Sequence, residues 1–157
     1  MSIATLLAPE RIRIDVDAKS KKRALEQLSV LLAAGDEDLS SAKVFDALLA
    51  RERLGSTGLG FGIAIPHARY SDAREARAAC IRLSEPVDFD AIDREPIDFV
   101  VGLLVPDAAI DEHIQTLADL AGLLSESSMR EALRAADDEH CILRIMNGGD
   151  GHDHGVA

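Results

Sequence analysis

The sequence predicts a single α/β domain of three layers, with a mixed central sheet of about five strands and helices on both faces. Three observations lead there. Short β-prone segments alternate with stretches of helical periodicity, and helical stretches then cluster towards the end. The segment Ile97 to Val105 (IDFVVGLLV) is a continuous apolar run closed by Pro106, the pattern of a strand buried on both faces. The length of 157 residues suits one domain, since domains cluster at about 100–150 residues.

The elements follow in order. Ile3 to Leu7 is a short helical turn before Pro9. Arg11 to Val16 (RIRIDV) alternates charged and apolar residues, as a half-buried strand does. Ser20 is placed to cap a helix whose apolar face is Ala24, Leu25, Leu28, Leu31 and Leu32, with Gly35 at its end. A second helix runs from about Ser41, with Val44, Phe45, Leu48 and Leu49 on one face and Gly55 at the C-cap. Ile63 to Ile65 is short and β-prone, and Ala78 to Leu83 reads as a strand. Asp111 to Leu124 is helical by its Ile114, Leu117, Ala118, Ala121 and Leu124 spacing. Helices are also expected near Ser128 to Ala135 and from Asp137 to Met146. The domain thus spans residues 1–147, and residues 148–157 (GGDGHDHGVA) form a polar, glycine-rich tail expected to be disordered.

Composition narrows the function. The formal net charge is −11, which argues against nucleic acid as a partner, because phosphate backbones are bound by clustered Lys and Arg. The same charge favours a partner with a basic face, or simply keeps the chain soluble. No stretch reaches the ~18–20 apolar residues of a membrane span, and the N-terminus lacks a signal-peptide pattern, so a cytoplasmic protein is expected. Cys80 and Cys141 follow no metal or redox spacing. No metal site is expected; the tail residues His152, Asp153 and His154 offer at most weak metal affinity.

The candidate chemistry centres on Gly55 to Arg69, GSTGLGFGIAIPHAR, which holds four glycines within eight residues. Such density marks tight turns or a close approach of backbone, and converging N–H groups can cradle an anion. The stretch matches neither the P-loop nor the dinucleotide fingerprint. His67 follows it directly after Pro66, which stiffens the approach. A neutral imidazole beside anion-binding donors suits phosphoryl transfer. The residues alone leave open a loop histidine without chemistry.

The block Arg51 to Arg69, RERLGSTGLGFGIAIPHAR, resembles the signature of the fructose–mannitol–nitrogen class of phosphotransferase-system IIA proteins. The resemblance runs from about residue 3 to residue 146 and is closest to the nitrogen-regulatory branch, through GSTGLG and LSEPVDFDAIDREPIDFVVGLLVP. It implies that His67 of GIAIPH carries the phosphoryl group, usually on Nε2, with its other ring nitrogen donating to a backbone carbonyl. It implies that Arg51, opening RE-x-x-GSTG, faces the phosphoryl oxygens, although Arg53 competes on spacing and a surface pairing with Glu52 or Asp46 would also account for Arg51. His113 of HIQTLADLA matches the second histidine of the class, at the start of a helix; by spacing alone it is an ordinary surface residue. Ser56 and Thr57 are candidate phosphate ligands, with turn chemistry as the equal alternative. Phe61 stands where a small or polar residue is expected; an apolar ring around the histidine would use it, and inward packing is the alternative.

Function follows as an implication of the same resemblance. The chain would be a phosphohistidine carrier, accepting its group from an HPr-like protein and acting on regulatory targets such as a transporter, kinase or metabolic enzyme. Handing the group to a separate IIB component, or binding without phosphorylation, are the alternatives. No cofactor is implied, because donor and acceptor are both protein side chains.

Overall fold

The computed structural model describes residues 3–107 and 110–147, with side chains from 113 onward in the second stretch. The expected tail at 148–157 lies outside the described residues. Six strands build the sheet: β1 (Ile12–Val16), β2 (Gly58–Gly60), β3 (Ile63–Ala64), β4 (His67–Arg69), β5 (Arg77–Val87) and β6 (Ile97–Val105). The helices are α1 (Lys21–Ala33), α2 (Ser41–Leu54), α3 (Ile110–Leu124), α4 (Ser127–Ala135) and α5 (Glu139–Met146), preceded by 3-10 turns at Ile3–Leu6 and Pro9–Arg11.

The sheet is mixed, in the order β1-β5-β6-β3-β2, with β4 also on β6. β6 is its axis. It runs antiparallel to β5 and parallel to both β3 and β4. β3 faces Phe99 and Val100, and β4 faces Leu103 to Val105, so two short strands share one edge of β6. Pro66 lies between them. It has no N–H to give the ladder, while its carbonyl still accepts from Leu103 N–H at 3.0 Å.

The period of two in the central strands sorts their side chains between two cores. On β5, Ala79, Ile81 and Leu83 join α1 and α2, while Ala78 and Cys80 face the other side. On β6, Val100 and Leu104 face α1 and α2, while Phe99, Val101 and Leu103 meet α3, α4 and α5. Gly102 sets how closely α1 sits on the sheet: a Cβ there would lie 2.6 Å from Cδ2 of Leu28.

Helix ends are closed by side chains. The hydroxyls of Ser20 and Ser40 and the carboxylate of Asp138 accept from the backbone N–H groups of Arg23, Lys43 and Cys141, capping α1, α2 and α5. At the opposite ends, arginines satisfy the orphan carbonyls. Arg77 on β5 donates to Leu32 and Ala34 at the end of α1, both at 2.6 Å. Arg82 on the same strand donates to Leu133 at 2.9 Å and Ala136 at 2.8 Å, closing α4. Arg130 donates to Leu124 at 3.0 Å, closing α3. A cation is also favoured there by the helix dipole.

No helix among the described residues is long and apolar enough to cross a membrane.

Candidate functional site

Where α2 ends, β4 begins and α3 starts, the surface sinks into a cavity of about 510 Å³. Its wall brings together Arg51 from α2, His67 and Arg69 from β4, and His113 from α3. The rest of the lining is apolar, and no carboxylate belongs to it among the described residues. Leu54 and Ile114 stand on its rim, 84% and 59% exposed.

His67 is half-buried, and its Nδ1 lies 2.9 Å from the carbonyl oxygen of Ile65. A carbonyl can only accept, so Nδ1 carries the proton and Nε2 keeps its lone pair. The imidazole pKa is pushed below its ordinary value, by burial first of all and also by the Arg51 guanidinium; the bond to Ile65 and the Glu52 charge work the other way. The ring is therefore neutral at neutral pH, the state a nucleophile needs.

The position of the ring is inherited from α2 through three hydrogen bonds. Thr57 N–H donates to Glu52 at 2.9 Å. Ile65 N–H donates to the Thr57 carbonyl at 3.0 Å. The Ile65 carbonyl then receives His67 Nδ1–H. Glu52 is buried, its carboxylate also held by Lys21 Nζ at 3.0 Å and by the Thr57 hydroxyl. It lies on the buried face of α2 with Val44 and Leu48. That i, i+4, i+8 spacing is the sequence signal that would have singled it out.

Arg51 makes no pair with Glu52. Its Nη1 donates to Gly55 at 2.8 Å, so it closes α2 as the other three arginines close their helices. Arg53 is exposed and outside the cavity lining. His113 is buried in the first turn of α3, 4% exposed, and is no surface residue. Arg69 escaped the sequence-based selection. The period of two in β4 puts it on the same face as His67, and that alternation is its only signal.

Ser56 and Thr57 stand outside the cavity lining. The Ser56 hydroxyl donates to Phe89 at 2.8 Å and accepts from Gly58 N–H at 3.0 Å. The Thr57 hydroxyl is spent on Glu52. The glycines also serve the backbone and stay off the cavity wall. Gly60 and Gly62 take φ of 104° and 82° around Phe61, which itself sits at 60°, in the turn from β2 to β3. Phe61 is therefore not part of a ring around the histidine. Gly62 accepts from Asp98 N–H while His67 faces Leu103, so the two lie about 16 Å apart along β6. The Phe61 ring packs under Arg130, with 4.2 Å between guanidinium carbon and centroid.

A histidine held by a backbone carbonyl in a cavity with an arginine and a second histidine gives an anion-binding site with a neutral nucleophile. The chain belongs to the EIIA 2 family of the phosphoenolpyruvate-dependent sugar phosphotransferase system, whose model matches residues 5–148. Within it, similar relatives include nitrogen regulatory proteins and, at 34% identity over 145 residues, covering 92% of this chain and 94% of its own, a fructose-specific EIIA component from Haloferax volcanii. The nitrogen regulatory protein from Pseudomonas aeruginosa is 42% identical over 141 residues, covering 90% of this chain and 92% of its own. The one from Escherichia coli K12 is 39% identical over 152 residues, covering 96% and 93%. In structure, the nitrogen regulatory protein IIA-Ntr from Neisseria meningitidis matches with a TM-score of 0.88 at 43% identity, over 92% of this chain and 99% of that one.

Proposed function

We propose that Nε2 of His67 accepts a phosphoryl group from the phosphohistidine of an HPr-like protein, and that the chain acts as a regulatory phosphocarrier of the nitrogen type. The observation that carries this is the Nδ1–H bond to Ile65, which leaves the Nε2 lone pair to a cavity holding Arg51 and His113.

In the transfer, the Nε2 lone pair forms a new N–P bond as the donor's N–P bond breaks. The donor imidazole leaves with the electron pair of that bond, and nothing is oxidised or reduced. Negative charge spreads over three equatorial oxygens. The Arg51 guanidinium answers it with donors not used on Gly55, and His113 does so from the positive end of α3. The apolar rim of Leu54 and Ile114 receives the donor and excludes water from the phosphoryl group. Ser56 and Thr57 contribute through the loop they brace rather than through their hydroxyls. Phosphorylation then places about −2 charge at this rim. A target that docks on the free rim is repelled by the phosphorylated one, or the reverse, and the regulatory names of the nitrogen relatives support that use.

The test is incubation with a labelled, phosphorylated HPr-type donor. The parent takes the label and His67→Ala does not; equal labelling of His67→Ala would overturn the mechanism. Arg51→Ala and His113→Ala keep their far-UV dichroism and slow acceptance by about 10²-fold, the cost of one lost charge-stabilising donor.

A further inference from the structure

We propose that Arg69 is a second phosphoryl-binding guanidinium of this cavity, contacting the group during transfer and afterwards on His67. The inference rests on His67 being the acceptor.

Two cations on the wall are arginines, and they are in different states. Arg51 is committed to the Gly55 carbonyl. Arg69 is exposed, lines the same cavity, and makes no hydrogen bond or ion pair among the described residues. Arg13, Arg53, Arg94 and Arg144 likewise make no side-chain bond among the described residues, but none of these lines the cavity. Other arginines are committed: Arg11, Arg77, Arg82 and Arg130 donate to backbone carbonyls, and Arg74 and Arg134 meet Asp38 and Asp98. In a chain of net charge −11, a guanidinium on the cavity wall with no partner among the described residues is a place where an arriving anion meets attraction rather than repulsion.

Reach and direction agree. Residues i and i+2 of a strand stand on one face, their Cα atoms about 7 Å apart. β4 is paired along its length to β6, so that separation is held by a rigid element. A guanidinium on its flexible stem spans such a gap and offers a planar fork to two phosphoryl oxygens. Arg69 thus meets the group first, while Arg51 trades or shares its bond to Gly55.

The experiment phosphorylates the parent, Arg69→Gln, Arg69→Lys and Arg53→Ala to completion with the protein donor. It then follows the phosphohistidine ³¹P resonance against pH, with transfer rates measured alongside. A contacting cation lowers the phosphoryl titration midpoint, so Arg69→Gln should raise it by about one unit and slow transfer by about tenfold or more. Arg69→Lys should recover only part of the loss, because an ammonium lacks the fork. Arg53→Ala, exposed near the end of α2 and outside the cavity lining, should match the parent. An unchanged midpoint in Arg69→Gln overturns the proposal, and slower transfer with that unchanged midpoint would assign Arg69 to donor docking instead. A parent that takes no label on His67 defeats the underlying function rather than this inference.

Discussion

The Glu52 carboxylate accepts the backbone N–H of Thr57 at 2.9 Å while its other oxygen lies 3.0 Å from Lys21 Nζ. One buried carboxylate thereby ties α1, α2 and the loop towards His67 together. Removing one partner of such a pair strands the other's charge and the loop's donors. Glu52→Gln should lower stability by about 3 kcal/mol, seen as an earlier urea midpoint, and the added change Lys21→Met should recover part of it. A Glu52→Gln variant that unfolds at the parent's midpoint would show that the pair does not stabilise the fold.

His67 should titrate below its ordinary value of about 6.5, because burial disfavours the imidazolium. The unfolded chain then binds more protons than the folded one as pH falls from that value. Stability from this group is complete above it and is lost as pH drops through the folded midpoint. Phosphoryl acceptance follows the same curve, flat at neutral pH and falling in acid. Ring resonances followed by NMR check this; a midpoint at or above the ordinary value contradicts it.

Gly102 leaves no room for a methyl group against Leu28. Gly102→Ala should cost about 1–3 kcal/mol by overpacking. Combined with Leu28→Ala, the loss should be smaller than the sum of the two single losses, since the second change opens the space the first one fills. Strict additivity in denaturant unfolding would place the strain elsewhere.

Arg82 reaches from the sheet to the last carbonyls of α4. Arg82→Ala should cost about 2 kcal/mol, the range for bonds from a charged donor, and should speed hydrogen exchange across α4 more than across α1. Equal exchange in the two helices would remove the cap from the account.

Much of the fold was legible because periodicity and burial agree. Ser20 caps α1 as read, and the IDFVVGLLV run is the central strand. β2 and β4 were not legible. Three-residue strands carry no period of their own, and both are defined by the edges they join. Of the site, the resemblance carried His67, Arg51 and His113, and the cavity assembles all three. Spacing could not choose between Arg51 and Arg53, which two residues of helical rotation separate. Nor could it show that α3 buries His113, or that Phe89 and Glu52 claim the hydroxyls of Ser56 and Thr57. The glycines looked like an anion cradle because a hairpin turn needs the same residue for the same backbone freedom.

Among the described residues, four helices finish on a guanidinium: Arg77 and Arg82 hold helix to sheet, and Arg130 ties α4 to the end of α3. The fourth, Arg51, lies in the helix it closes, with one bond drawn to its C-cap Gly55. A guanidinium has five N–H donors, so the part that locks α2 has capacity to spare, and it stands beside a nucleophile. Under the proposed mechanism, the reactive site is then partly a joint of the framework. The arrival of phosphate is felt first as a change in how the end of α2 is closed, a mechanical signal available at the surface a partner reads.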